Sequence, residues 1–325
     1  MRAVQTVLGP VAPEALGPTD AHEHLFLRTP ALPGEALTEL EPMVAEASAV
    51  RAAGAHAIAD LTPIGCGRDP ARLRQLAERT GLHVIAATGF HRDAHYPAGH
   101  WVHAEPEDVL VELLVADLTV GMDERDWQGP RPRPGPARAG VVKLGASYQT
   151  LTPSERRRLA AGARAAVRTG APVAVHCEAG TMAHELLDLL AQHDVPPGRV
   201  ALAHLDRNPD PGLHAELAER GAFLMYDGAG KVKYHPDSLR IELIERMAEG
   251  GHAGNLLLGG DLARRSNLRA HGGGPGMAHL FAVLVPRLRK ALGGDLVDQL
   301  VVANPARAFA FEPLEPVEPV GTTDG

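Results

Sequence analysis

Short apolar runs alternate along this chain with longer stretches in which apolar residues recur at helical spacing. Eight runs read as strands, over 18–24, 55–61, 82–88, 140–144, 172–177, 200–204, 222–226 and 256–261. They are rich in Val, Ile, Leu and Ala, and most are bounded by Gly or Pro, as strands buried on both faces of a parallel sheet should be. Amphipathic segments lie between them, over 37–53, 70–80, 106–122, 154–169, 182–193, 211–220 and 236–249, and two more follow over 277–292 and 295–303. Gly81, Gly170 and Gly221 stand just past cationic or polar last turns, where a helix can end in left-handed backbone. In Thr152-Pro153-Ser154-Glu155 the threonine can cap a helix whose first turn holds the proline.

Eight strand–helix alternations predict an α/β fold, a (β/α)8 barrel, as one domain over residues 1–312. The competitor is an open doubly wound sheet, which carries a Gly-x-Gly phosphate turn after its first strand. Here the first strand ends in His22-Glu23-His24 instead. The Pro/Arg-rich stretch 129–138 reads as a stiff surface connection, and 313–325 as a disordered or loosely docked acidic tail.

Composition narrows the function classes. Apolar residues make up 45% and charged residues 22% of 325, which is ordinary for a globular chain. A formal charge of -8 argues against nucleic acid as a partner. No uncharged apolar run reaches the ~18 residues that a membrane span needs, and the first eighteen residues lack the apolar stretch of a secretory leader. Cys66 and Cys177 are too few for a disulfide framework and read as inert packing residues, so a cytoplasmic location is expected. Histidine is the unusual residue: the 17 outnumber Phe, Tyr and Trp combined.

In a barrel enzyme, reactive groups stand at the C-terminal strand ends. Those ends carry His22 and His24 on the first strand, Lys143 on the fourth, His176 on the fifth, His204 on the sixth and Asp261 on the eighth. His22 and His24 are two apart and so share a side of the strand. A lone histidine at a strand end is usually a satisfied core residue, and a His-x-His pair is a weak signal. Four histidines and an aspartate gathered at one end predict a divalent-metal site. For Lys143 the spacing leaves two readings. It can snorkel to the barrel rim, or it can be a buried, deprotonated amine that takes up carbon dioxide and bridges two metals as a carbamate, since a free ammonium would be repelled there. After the third strand, His91, Arg92, Asp93, His95 and Tyr96 form a dense polar run. It is either a substrate-side loop, with His91 or Tyr96 touching the leaving group, or simply a polar loop.

The chain resembles the phosphotriesterase-like branch of the amidohydrolase superfamily. The resemblance rests on Thr19-Asp20-Ala21-His22-Glu23-His24, Lys143, Val175-His176-Cys177-Glu178-Ala179-Gly180, Ala203-His204-Leu205-Asp206-Arg207-Asn208, Gly259-Gly260-Asp261 and Asn304-Pro305-Ala306. It implies a binuclear centre of two divalent ions, zinc foremost, with manganese, cobalt or iron as alternatives. His22, His24 and Asp261 would hold the buried ion and His176 and His204 the other, with a carbamate on Lys143 and a hydroxide bridging them. Asp261 would also act as the catalytic general acid–base. The stretches 223–237 and 260–274 are more similar to members that open phosphorylated sugar lactones than to organophosphate hydrolases. The resemblance then implies that Arg207, Lys231 and Arg264 hold a substrate phosphate, although position 207 is Lys more usually and position 267, here Asn, often Tyr.

The residues support a phosphate site separately. These three cations follow strands six, seven and eight, beside the usual phosphate-binding loops of barrel enzymes. They could equally be solvated rim charges, and Lys233 and Arg265 are adjacent alternatives. The expected partner is thus a small-molecule substrate, and a homodimer is admissible. The same centre could instead act on a phosphotriester, a carboxylate ester or an amide, or the scaffold could be a non-catalytic binding descendant.

Overall fold

The structure, a computed structural model, describes residues 2–126 and 133–312. An antiparallel pair, β1 (Ala3–Thr6) and β2 (Gly9–Val11), opens the chain. Eight strands follow: β3 (Thr19–Glu23), β4 (Ala57–Asp60), β5 (His83–Gly89), β6 (Val141–Ala146), β7 (Val173–Cys177), β8 (Val200–Ala203), β9 (Phe223–Tyr226) and β10 (Leu256–Leu258). Each pairs in parallel with its chain neighbour. This is the expected (β/α)8 barrel, nearly closed. Between β10 and β3 no ladder forms among the described residues. The loop after β10 stitches that seam instead: Asp261 N–H donates to the His22 carbonyl at 2.7 Å and Gly260 N–H to the Asp20 carboxylate at 3.3 Å.

The strands read as continuous apolar runs because both faces are covered. Ala57, Ala59, Ile85, Ala87, Val141, Ala174, Ala201, Phe223 and Met225 fill the barrel interior. Their alternates, such as Ile58, Val84, Val142, Val173, Leu202 and Leu224, pack with the helix residues in the outer core. Lys143 and His176, two residues on from Val141 and Ala174, therefore continue the inward face toward the C-terminal mouth.

The outer layer holds α1 (Leu40–Ala52), α2 (Pro70–Thr80), α3 (Glu107–Thr119), α4 (Pro153–Thr169), α5 (Ala183–Ala191), α6 (Pro211–Glu219) and α7 (Asp237–Glu249). The expected punctuation is present. Thr152 and Glu155 form a capping box on α4, and α2 and α4 end on Gly81 and Gly170 at φ 68° and 71°.

Three differences have physical causes. The helix expected from residue 37 starts at Leu40, because Leu37 bridges to Leu27. The helices expected over 277–292 and 295–303 are interrupted by π turns at Leu280–Leu284 and Gln299–Ala303, followed by α8 (Val285–Leu292) and, after α9 (Gly294–Asp298), by α10 (Asn304–Ala308). Each π turn ends just ahead of a proline, Pro286 or Pro305. Proline cannot supply the N–H that would continue an α-helical ladder through that point. Finally, a last strand, β11 (Ala310–Phe311), pairs with β1 in a small sheet that the sequence pattern did not predict. The 313–325 tail and the first part of the 129–138 connection, 129–132, lie outside the described residues.

Candidate metal and substrate site

A cavity of about 210 Å³ opens at the C-terminal mouth of the barrel. His22, His24, Lys143, His176, His204 and Asp261 all line it, as do Arg207, Lys231, Arg264 and His91. Of the candidate site residues singled out in the sequence, only Asp93, Arg265 and Tyr96 do not line it. The Tyr96 side chain is buried beneath the loop, where its hydroxyl donates to the Ile64 carbonyl at 2.9 Å and accepts the His91 N–H at 2.8 Å. It is a peg holding the loop, so the expectation that it faces the leaving group is corrected.

The ligand set converges. His22, His24 and Asp261 present donor atoms within 4.8 Å of one another. The Nε2 atoms of His22 and His24 lie 3.6 and 3.3 Å from Asp261 Oδ1. Two buried atoms, His22 Nε2 and Lys143 Nζ, have no protein partner, a costly arrangement unless something else binds them. Burial also lowers the Lys143 amine to about 8, which makes the neutral, reactive form far easier to reach than for an ordinary lysine. The rim alternative for Lys143 is overturned, because the residue is only 1% exposed.

Asp227, at the end of β9, is the residue that sequence reasoning passed over. Its Oδ2 accepts from His22 Nδ1 at 2.7 Å, and its Oδ1 from His204 Nδ1 at 2.7 Å. The His204 N–H also donates to Oδ2 at 3.1 Å. One carboxylate therefore fixes the tautomer of both rings and leaves each Nε2 as a lone pair, the usual outer support of a metal-bound histidine. Although burial raises Asp227, His204 and His22 outweigh it and hold the carboxyl well below its usual range. Asp227 is itself held by Asp206, which accepts the N–H groups of Asp227 and Gly228 and pairs with Arg240 at 2.6 Å.

At His176, Nε2–H donates to Glu178 at 2.6 Å, and Glu178 also pairs with Arg92 at 3.0 Å. The hydrogen bond from His176 brings Glu178 down to about 2. The remaining nitrogen, His176 Nδ1, faces His204 Nε2 at 2.8 Å. Both carry lone pairs in the tautomers that Glu178 and Asp227 impose, so a cation relieves their repulsion. Burial lowers His176 to about 4 and His22 to about 3, and takes His204 well below its usual value. Neutral imidazoles are what a metal requires. Backbone strain gathers here as well: His204 and Asp261 adopt φ of 68° and 48°, uncommon for residues with a Cβ and typical of functional sites.

The cations sit on the far side of Asp261. Arg207 donates to its Oδ2 at 2.7 Å and Lys231 at 2.5 Å. Burial raises the Asp261 carboxyl, but Lys231 and His22 outweigh it and take it well below the usual range. Arg207 also lies over the Tyr234 ring at 4.3 Å, while Arg264, part exposed, is 3.8 Å from Glu35. Lys233 lines the cavity too, whereas Arg265 does not.

A parallel eight-stranded barrel with converging histidines and carboxylates at its C-terminal mouth defines the class of barrel hydrolases that work with metal ions. The chain belongs to the phosphotriesterase family, which it matches over residues 2–309, and it is a hydrolase acting on ester bonds. It is similar to a phospho-furanose lactonase of Mycoplasmopsis agalactiae, 31% identical over 95% of this chain and 92% of that one. Among solved structures it resembles a lactonase from Listeria monocytogenes, with a TM-score of 0.87 and 31% identity over 95% of this chain and 99% of that one. It also resembles the phosphotriesterase homology protein of Escherichia coli, solved with phosphate in its active site, at TM-score 0.81 and 27% identity over 90% and 99%.

Proposed function

We propose that the protein opens a phosphorylated sugar lactone. The observation carrying this reading is the cluster of Arg207, Lys231, Lys233 and Arg264 in the same cavity as the converging metal ligands. Such a cluster suits a dianion and would serve an apolar triester poorly. Two similar proteins support it, one named for a phospho-furanose lactone and one solved with phosphate bound. The cavity, about 210 Å³, leaves space for a small molecule of sugar size.

In this reading His22, His24 and Asp261 hold one divalent ion and His176 and His204 a second. Lys143, its amine carboxylated by carbon dioxide with loss of a proton, would supply a carboxylate ligand to them. Zinc suits the nitrogen-rich set best, and manganese, cobalt and iron fit it too. When bound, the ions supply a nucleophile derived from water and polarise the ester carbonyl. Asp261 takes up the proton released in the attack and returns it to the leaving alkoxide. Arg207, Lys231 and Arg264 hold the phosphate and so orient the ring. The two cysteines, both buried and free, accord with a cytoplasmic setting.

The test compares a phosphorylated lactone with its unphosphorylated analogue. A charge-assisted contact contributes on the order of 1.5–3 kcal/mol, so Arg264→Ala should lower kcat/KM about 10- to 150-fold on the phosphorylated lactone alone, whereas Lys231→Ala, which also removes a partner of Asp261, should harm both substrates and the phosphorylated one more. Equal losses on both substrates, or a wild type that prefers the uncharged lactone, would refute the phosphate site.

A further inference from the structure

His91 and His95 lie in the loop after β5 and line the cavity, yet no metal-holding group among the described residues includes either. Their rings stack at 3.4 Å with an interplanar angle of 14°. Hydrogen bonds to the other ring nitrogens set both tautomers. His91 Nδ1 accepts the Arg92 N–H at 2.8 Å, so the proton of that ring is on Nε2. Thr29 donates its hydroxyl to the His95 carbonyl at 3.0 Å. Its oxygen then accepts from His95 Nδ1 at 3.3 Å, which leaves the His95 Nε2 as a lone pair. Neither Nε2 is a buried orphan, and neither has a hydrogen bond to a described residue. The cavity therefore meets a donor and an acceptor on two parallel rings.

We propose that this histidine pair is a hydroxyl-recognition subsite, in which His91 donates to and His95 accepts from the hydroxyl groups of a polyhydroxylated lactone. The inference rests on the lactonase reading and adds which part of the substrate the loop reads. A hydroxyl answers both atoms, whereas a carboxylate has no proton for His95 and an ammonium has no lone pair for His91. The ring topology separates this subsite from the phosphate. In an eight-stranded ring, β5 stands four places from β9 and therefore opposite it. Lys231 and Lys233 follow β9, so a substrate with its phosphate on that side extends its hydroxylated part across the metal ligands toward β5.

The test uses two phosphorylated lactones that differ by one ring hydroxyl. Wild-type enzyme should favour the hydroxylated one by about 10-fold or more, because a site built to bond a hydroxyl rejects the analogue lacking it. His95→Phe and His91→Phe keep an aromatic stack while removing the acceptor or the donor. Each should bring the ratio close to one by losing activity on the hydroxylated lactone only. His95→Gln, which restores an acceptor, should recover part of the discrimination. Equal losses on both lactones, or an unchanged ratio in the Phe variants, would overturn the subsite. A wild type that hydrolyses both lactones equally well overturns this inference and leaves the lactonase reading standing, whereas one that hydrolyses no lactone overturns both.

Discussion

Replacing Asp227 with Asn tests whether one buried carboxylate serves both metal positions. The aspartate accepts three hydrogen bonds, two from His22 and His204 ring nitrogens at 2.7 Å and one from the His204 backbone at 3.1 Å. An asparagine of the same shape has one carbonyl oxygen, and its amide group must face a ring N–H, donor against donor. One histidine keeps a weaker partner and the other loses its partner altogether. Losing such an outer support typically costs about 10- to 100-fold in metal affinity. His22 and His204 are assigned to different ions, so the two affinities should split, with one falling by the full factor and the other by less. Asp227→Ala should weaken both alike. Chelator-competition titration, with two equivalents expected in the wild type, reads each affinity independently of turnover, and circular dichroism confirms that the variants fold. An Asn variant that folds and binds both ions with wild-type affinity would refute the bridging role.

Other expectations follow from the same geometry. Lys143→Ala should bind the second ion poorly even with added bicarbonate, while Lys143→Glu, which supplies a carboxylate directly, should recover part of the metal content by elemental analysis; wild-type metal content in the Ala variant would exclude a bridging lysine. Gly89→Ala should destabilise the barrel strongly, because φ is 105° there and a Cβ would stand 2.0 Å from the Lys143 carbonyl oxygen; an unchanged melting temperature would contradict that packing. His214, bonded to the Tyr226 hydroxyl at 2.7 Å, is lowered to about 4, mainly by burial. Its unfolded form takes up a proton near 6.5 and its folded form only near 4, so its contribution is intact above 6.5 and lost as pH falls between the two, at most ~1.4 kcal/mol per pH unit. His214→Gln should flatten the metal-free stability curve across that window, and an unaltered slope would remove the residue from the acid response.

The barrel was legible because burial on both faces makes each strand a continuous apolar run, and all eight appear within a few residues of their expected bounds. The candidate site was legible for a related reason: once the strands are placed, His22, His24, Lys143, His176, His204 and Asp261 fall at one end. What escaped depends on distant partners. Asp227 is one aspartate among many until the fold brings it to His22, 205 positions away in the chain. Tyr96 stands near a strand end, but only packing shows that its hydroxyl turns inward. The strands β1, β2 and β11, two to four residues long and outside the strand–helix alternation, carry no apolar run that marks them. The π turns answer to prolines that occupy the second position of the following helix, where sequence rules expect a proline to start a helix and give no sign of what precedes it.

The seam between β10 and β3 ties assembly of the protein to its chemistry. Where the other strands zip together along a ladder, this junction is held by the Gly260–Asp261 backbone and the strand bearing His22. Asp261 and His22 are also the residues assigned to one ion, so that ion would rivet the two edges of the barrel. Completing the ring and arming the site would then be one and the same act, and loss of the metal would loosen the barrel first at the point where it reacts.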